Sequence, residues 1–158
     1  MTRIAYPSDV VPGPPDIALE MPDGWTQVWV PDTLIAIRQD AADGDHFLAN
    51  VVVRFYQRLA PFGPDEIRSE LSQYVNQRRD GELGPVKSQT VNGRELVGAD
   101  LSFVDDAAGT VGQVHWFTAQ QRNDVMDVVQ VTGSFGGART EQDYAIIDRI
   151  VDSIRISA

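Results

Sequence analysis

The 158-residue sequence contains no cysteine, and lysine occurs once, at Lys87. Without cysteine the chain has no disulfide, thiolate nucleophile, zinc–cysteine site or iron–sulfur cluster. No stretch approaches the ~18 consecutive apolar residues of a membrane-spanning helix. The first residues are not followed by the apolar segment of a secretory signal peptide. We therefore expect a cytoplasmic protein that does not insert into a membrane.

Basic residues are also scarce, with 13 against 23 acidic residues and a net charge of -10. A field of this sign repels nucleic acid and anionic lipid surfaces, so neither is an expected partner. If the chain binds another protein, its acidic surface favours a basic one. The apolar fraction of 42% and the charged fraction of 23% are those of an ordinary globular protein.

The prolines are concentrated near the amino end, where Pro12, Pro14 and Pro15 occur within four residues. Such a segment supports neither a helix nor a central strand. Residues 1–15 are predicted to form an extended N-terminal arm. Residues 16–158 contain no linker or repeat and are predicted to form a single domain.

Apolar periodicity and turn residues divide this domain into strands and two helices. The first helix is predicted over 64–80, with Pro64 in its first turn and Gly81 as a left-handed cap. The closing helix is predicted over 140–154, with Thr140 as its N-cap. Eight strand segments are indicated, four before the first helix and four in an antiparallel meander after it: 17–20, 26–30, 34–39, 47–58, 86–91, 94–104, 111–121 and 125–135.

This order predicts an α+β fold rather than a βαβ alternation. We expect a mostly antiparallel sheet of about seven strands with helices packed on it, in the order βββ(β)-α-ββββ-α.

Two groups of polar residues are candidate sites of chemistry. The acidic loop that contains Asp40, Asp43, Asp45 and His46 lacks the spacing of a calcium-binding loop, so a solvated loop is favoured. His115 is predicted on the strand face opposite Val114 and Trp116. There it could act as a general base with an aspartate and a water in a hydrolase, although no motif spacing supports this alternative.

Motifs of nucleophilic catalysis and phosphate binding are also incomplete. Ser134 follows Gly133, but a nucleophile elbow requires a glycine where Thr132 stands. Lys87 lies outside any glycine-rich loop. No cofactor, metal site or catalytic residue is therefore predicted.

The three tryptophans are the largest apolar side chains. Trp25 and Trp116 are expected in the core. Trp29 is the residue at which we expect an exposed contact patch for a partner or ligand, together with Val28, Val52 and Tyr56.

The segment Glu20-Met21-Pro22-Asp23-Gly24-Trp25 resembles the start of the PsbP-like domains, where a P-x-G-W type turn joins two strands. The order of strands and helices over about residues 16–156 is similar to that family's α/β/α sandwich. The actinobacterial LpqN/LpqT lipoproteins are the relatives it most resembles, and the Asp- and Arg-rich composition is compatible with a high-GC bacterium. Those lipoproteins carry a signal peptide and a lipidated cysteine that this sequence lacks.

The resemblance implies no catalytic triad or cofactor. It implies an accessory or binding role, since members of the family include an oxygen-evolving-complex subunit, a nuclear-import factor and effector chaperones of type VI secretion. Our leading hypothesis is a non-enzymatic binding or accessory protein that engages another protein through a sheet face or groove. The alternatives are a chaperone or carrier for an apolar helix or lipid, the hydrolase above, and self-association into a homodimer through a strand edge.

Overall fold

The computed structural model describes residues 1–41 and 47–157. Within these ranges the chain forms ten strands, two α-helices and a short 3₁₀ turn at Gly137–Arg139. The helices are α1 (Pro64–Asn76) and α2 (Thr140–Asp152). The strands are β1 (Asp16–Ala18), β2 (Trp25–Val28), β3 (Ile35–Gln39), β4 (Asn50–Leu59), β5 (Arg79–Leu83), β6 (Lys87–Val91), β7 (Arg94–Asp105), β8 (Gly109–Arg122), β9 (Val125–Gly136) and β10 (Arg155–Ser157).

Eight of the strands form one antiparallel sheet in the order β2-β3-β4-β9-β8-β7-β5, with β6 also paired to β7. The predicted meander is confirmed as β6 to β9, and β4 adds to it beside β9. Strands β1 and β10 pair as a separate two-stranded sheet. The α+β class and the mostly antiparallel sheet are therefore confirmed.

The sheet is covered by one helix on each face, because its strands alternate apolar residues toward both sides. On β4, Val51 and Val53 are fully buried in the core cluster that contains Ile147 and Ile150 of α2. We call this side the α2 face. The opposite side, the α1 face, has a second core cluster built on Ile67, Leu71 and Val75 of α1.

The end of α1 differs from the prediction, because the helix stops at Asn76 and β5 begins three residues later. Gly81 lies inside β5 and is not a left-handed cap. A Cβ atom at Gly81 would lie 2.0 Å from the backbone oxygen of Val75, so glycine is needed here for a close approach of two backbones. The residue with a left-handed backbone here is Asp80, the second residue of β5, with a φ of 50°.

The start of α2 also differs from the prediction. The N-cap is Arg139, and Thr140 is the first helical residue. The Thr140 hydroxyl donates to the backbone oxygen of Gly137 at 2.8 Å, because the 3₁₀ turn leads directly into the helix.

Two strands of the structure, β5 and β10, are not predicted from the sequence. They are only five and three residues long.

The N-terminal arm has no helix or strand before β1. Its path over the sheet is fixed by the pairing of β1 with β10 and by Arg122, whose Nη1 donates to the backbone oxygen of Val10 at 2.9 Å. The division into an arm and a single domain stays a prediction.

Candidate binding surface

The α1 face is covered by its helix over only part of its width. Helix α1 packs against β5 and β7, and a cavity of about 270 Å³ remains beside it toward β4. We call this cavity the β4 hollow. The residues that define it are Val30, Val52, Arg54, Tyr74, Gln113 and His115.

Strand register explains why the floor of the hollow is polar. Neighbouring residues of β4, β9 and β8 form rows across the α1 face. One row is Asn50, Ser134 and Gln113, and the next is Val52, Thr132 and His115. Two rows further along, the row is Tyr56, Val128 and Ala119, which belongs to the second core cluster. The face therefore changes along its strands from polar to apolar.

His115 is the centre of a hydrogen-bonded network in this floor. Gln113 donates through Nε2 to the Ser134 hydroxyl at 3.1 Å, so its Oε1 is the group that accepts from His115 Nε2 at 2.8 Å. His115 Nδ1 then accepts from Gln130 Nε2 at 3.0 Å and lies 3.3 Å from the Thr132 hydroxyl. The network assigns the neutral Nε2-H tautomer to His115.

The electrostatic environment also favours neutral His115. Burial, together with the positive charges of Arg54 and Arg78, lowers its pKa from 6.5 to about 4. A proton added at Nδ1 would face the Gln130 amide, which is already a donor. Within the residues that the structure describes, its hydrogen-bond partners are amides and a hydroxyl, with no carboxylate to orient it as a general base.

The four predicted contact residues occupy two different environments. Trp29 directly follows β2 and is 84% exposed. Val28 and Val52 are half-buried and lie on the same sheet face, because each pairs with Ala36 of β3 from opposite sides. Tyr56 instead packs against the core cluster beneath α1. Burial raises the pKa of its phenol, although Arg58 and Arg54 act in the opposite direction.

Trp25 and Trp116 are buried in the core as predicted, with 7% and 4% exposure. Trp25 is the first residue of β2 and Trp29 directly follows the strand, so one buried and one exposed tryptophan stand at the two ends of β2. Val30, the residue after Trp29, lines the hollow, which places the exposed indole next to its rim.

The polar network was missed from the sequence, although a signal for it exists. Gln113 and His115 on β8, and Gln130, Thr132 and Ser134 on β9, follow the two-residue period of one strand face. Polar residues in consecutive positions of one face indicate a solvated or hydrogen-bonded surface.

The predicted acidic loop falls mostly on residues 42–46, which lie outside the described residues, and so do Asp43, Asp45 and His46. Over residues 1–41 and 47–157, no group of three or more histidine or acidic side chains is placed to hold a metal ion. In the same ranges, neither helix combines the length and apolarity needed to cross a membrane.

Comparison with known proteins defines the fold class. No family model matches the chain, and no curated protein sequence matches it. Solved structures do match, and they include the cyanobacterial PsbP of Synechocystis sp. PCC 6803, with a TM-score of 0.55 and 12% identity over 97% of this chain and 98% of that one. The chain has the PsbP-like fold.

A match with a higher TM-score is LpqN of Mycobacterium tuberculosis, a protein involved in cell envelope biogenesis. Its TM-score is 0.73 at 13% identity, over 93% of this chain and 86% of LpqN. The Ran-binding protein Mog1p of Saccharomyces cerevisiae also matches, with a TM-score of 0.57 and 16% identity over 89% of each chain. The predicted resemblance to PsbP-like proteins, and to LpqN among them, is confirmed at the level of the fold.

Proposed function

We propose that this protein is a non-enzymatic accessory protein that binds a partner protein at the Trp29 surface, defined by Val28, Trp29, Val30, Val52 and Arg54. The observation that carries the proposal is the 84% exposure of Trp29. A tryptophan this exposed gives up much of the apolar burial available to its ring, and tryptophan is enriched among the residues that dominate binding energy at interfaces.

The surroundings of Trp29 support binding rather than catalysis. Val30 is 36% exposed and Leu34, at the far end of the same turn, is 40% exposed, so the indole is part of an apolar edge. The hollow beside it provides amide and hydroxyl groups that can hydrogen-bond a partner's backbone. Its one histidine is locked as a neutral group by two amides.

The charge of this surface gives the chemistry of the partner. Arg54 lines the hollow and is exposed, and no ion pair to it occurs in the described part of the chain. The site is therefore locally positive on a protein of net charge -10. The partner segment that binds here presents an apolar side chain to Trp29 and a carboxylate to Arg54. The expectation of a basic partner, which rests on net charge, stays a prediction for the remaining surface.

Among the solved structures of this fold, Mog1p is described as a Ran-binding protein. This supports the idea that the fold can serve protein binding. The carrier and hydrolase alternatives lack an observation of comparable weight at this surface.

The test is quantitative affinity purification from the native host with the wild-type chain and three variants, followed by reconstitution with the purified partner. We expect one stoichiometric partner, bound at least about tenfold more weakly by Trp29→Ala and by Arg54→Gln. Leu59→Ala is the matched control, because Leu59 is 72% exposed at the far end of β4. Equal binding by Trp29→Ala and the wild type would overturn the proposal, as would the absence of any stoichiometric partner.

A further inference from the structure

A second cavity lies away from the Trp29 surface, on the α2 face beneath the N-terminal arm. Its volume is about 570 Å³, within the range of 300–1,000 Å³ that is typical of small-molecule sites. The floor is a single row across three strands, in which Phe55, Val129 and Thr118 are register neighbours. Ile156 of β10 adds a further apolar side chain.

The arm forms the opposite wall of this cavity. Pro7, Pro12, Pro14 and Pro15 line it, and proline has no backbone N–H. This wall therefore presents mostly ring carbons, which suit an apolar ligand. The wall is held in place at Val10 by the hydrogen bond from Arg122.

Two arginines, Arg94 and Arg122, line the cavity, and they differ in whether a carboxylate pairs with the guanidinium group. Arg122 lies 3.3 Å from Asp127, which also accepts from Gln57 at 2.8 Å. This cluster is internally neutralised. Arg94 is half-buried and forms no ion pair in the ranges that the structure covers.

Arg94 is the first residue of β7, the strand next to β8 of the apolar floor. Leu96, two residues further along the same face of β7, belongs to the core cluster, and Gln120 also lines the cavity. The carboxyl group of Asp16 also lines the cavity, but among the ion pairs of the described residues there is none between Asp16 and Arg94. The cavity thus combines an apolar floor and wall with a guanidinium group that lacks a carboxylate partner.

We propose that this cavity binds a small apolar carboxylic acid. The hydrocarbon or aromatic part of the ligand lies between the proline wall and the Phe55–Val129 floor. Its carboxylate accepts from the Arg94 guanidinium, a charge-assisted and geometrically specific interaction. Asp16 opposes this binding by like-charge repulsion, so it limits the affinity for anions.

The experiment is isothermal titration of the full chain with two probes of the same shape, naphthalene-1-acetate and the neutral naphthalene-1-acetamide. We expect the acid to bind at least about tenfold more tightly than the amide. Arg94→Gln should remove most of that preference while leaving amide binding unchanged. Asp16→Asn should strengthen acid binding severalfold, because it removes a negative charge without changing the size of the side chain.

Arg68→Gln is the matched control, since Arg68 lies on α1 at the other face of the sheet and is exposed. It should not change either affinity. Backbone amide chemical shifts should move at Phe55, Thr118 and Val129 on addition of the acid, which locates the site independently of the variants. Equal affinities for the acid and the amide, no effect of Arg94→Gln, or no binding of the acid at millimolar concentration would each overturn the proposal. Because the Trp29 surface lies elsewhere, these outcomes are independent of the test of partner binding.

Discussion

The two faces of the central sheet are covered by helices of equal length, 13 residues each, but the part of each face beside its helix differs. The cavity on the α2 face has a floor built on Phe55 and Val129, whereas the hollow on the α1 face has a floor built on Gln113 and His115. On the α2 face the apolar cluster extends from Trp25 across the sheet to Val91. On the α1 face the apolar cluster ends at Phe117, and the next row contains His115. The difference therefore comes from the residues of the strands and not from the size of the helices.

This comparison shows that an open sheet face can be stable without apolar cover when its rows are polar and mutually bonded. The polar side chains of the hollow hydrogen-bond to one another: Gln113 to Ser134 and His115, and His115 to Thr132. Because these buried and half-buried groups are paired, they avoid the cost of burying a polar group without a partner. The α2 face depends on close packing instead. The four predictions below test this contrast, from the largest expected effect to the smallest.

Truncating the apolar centre of the α2 face should give the largest loss of stability. Ile147 is fully buried, and its Cγ2 would lie only 2.4 Å from a Cβ atom at Gly133. Ile147→Ala should lower the free energy of unfolding by about 2–5 kcal/mol, measured by urea denaturation. Ile146→Ala is the control, because the neighbouring side chain is only half-buried and should cost clearly less. Equal effects would contradict the packing described for α2.

On the α1 face, acid should weaken the His115 network. The pKa of His115 is about 4 in the folded protein against 6.5 in the unfolded chain, so the unfolded state takes up a proton first as the pH falls. The contribution of neutral His115 to the free energy of unfolding is fully present above pH 6.5. It is lost as the pH falls from 6.5 to about 4, which lowers the free energy of unfolding by roughly 3 kcal/mol.

The measurement is the pH dependence of the free energy of unfolding in the wild type and in His115→Gln. The variant should lack this part of the acid destabilisation, whereas His46→Gln, the other histidine substitution, should keep it. A wild-type slope no steeper than that of His115→Gln would show that His115 is not held neutral.

Removal of one hydroxyl should distinguish the two faces more finely. On the α2 face, Tyr144 donates to Asp100 at 3.0 Å and accepts from Lys87 at 3.0 Å. Tyr144→Phe should lower stability by about 1 kcal/mol, because it removes both bonds from a partly buried cluster. On the α1 face, Tyr74 contacts its neighbours through its ring, at 5.6 Å from His115 and beneath Arg78. Tyr74→Phe should therefore lower the free energy of unfolding less than Tyr144→Phe does, as measured by urea denaturation. A larger loss for Tyr74→Phe would contradict the roles described for the two hydroxyls.

The smallest effect on stability is expected at the exposed tryptophan. Trp29→Ala should change the free energy of unfolding by less than about 0.5 kcal/mol, because the ring buries little surface. Trp25→Ala, in contrast, should cost about 3–5 kcal/mol. A strongly destabilised Trp29→Ala would show that the indole supports the fold, which would remove the reason for assigning it to a partner.

Much of the fold follows from local sequence signals. The meander is predicted because Asn92-Gly93 forms a tight turn, with positive φ at both residues. The start of α1 is predicted because Pro64 and two acidic residues occupy its first turn. What was missed depends on approaches between distant residues, such as the contact of Gly81 with Val75 and the pairing of β1 with β10.

The candidate site was predictable only in part, for the same reason. A strand's alternation places Val28 and Val52 on sheet faces, but it does not show which half of a face a helix will cover. Tyr56 is predicted as a contact residue together with Val52, and in the structure its side chain packs against the second core cluster. The position of α1 across the sheet, which separates Val52 from Tyr56, is a property of the assembled layers.

Lys87 lies at the edge of the α2 face, where its ammonium group contacts Asp100 at 2.9 Å and stands 5.1 Å from the Trp116 ring. It is the only lysine of a sequence that has no cysteine. A lysine-selective dye therefore has one side-chain target, and a cysteine introduced in the arm, for example Val10→Cys, gives a second, chemically orthogonal target. A two-colour energy-transfer measurement between them would follow the distance from the arm to the sheet without first removing any competing native residue.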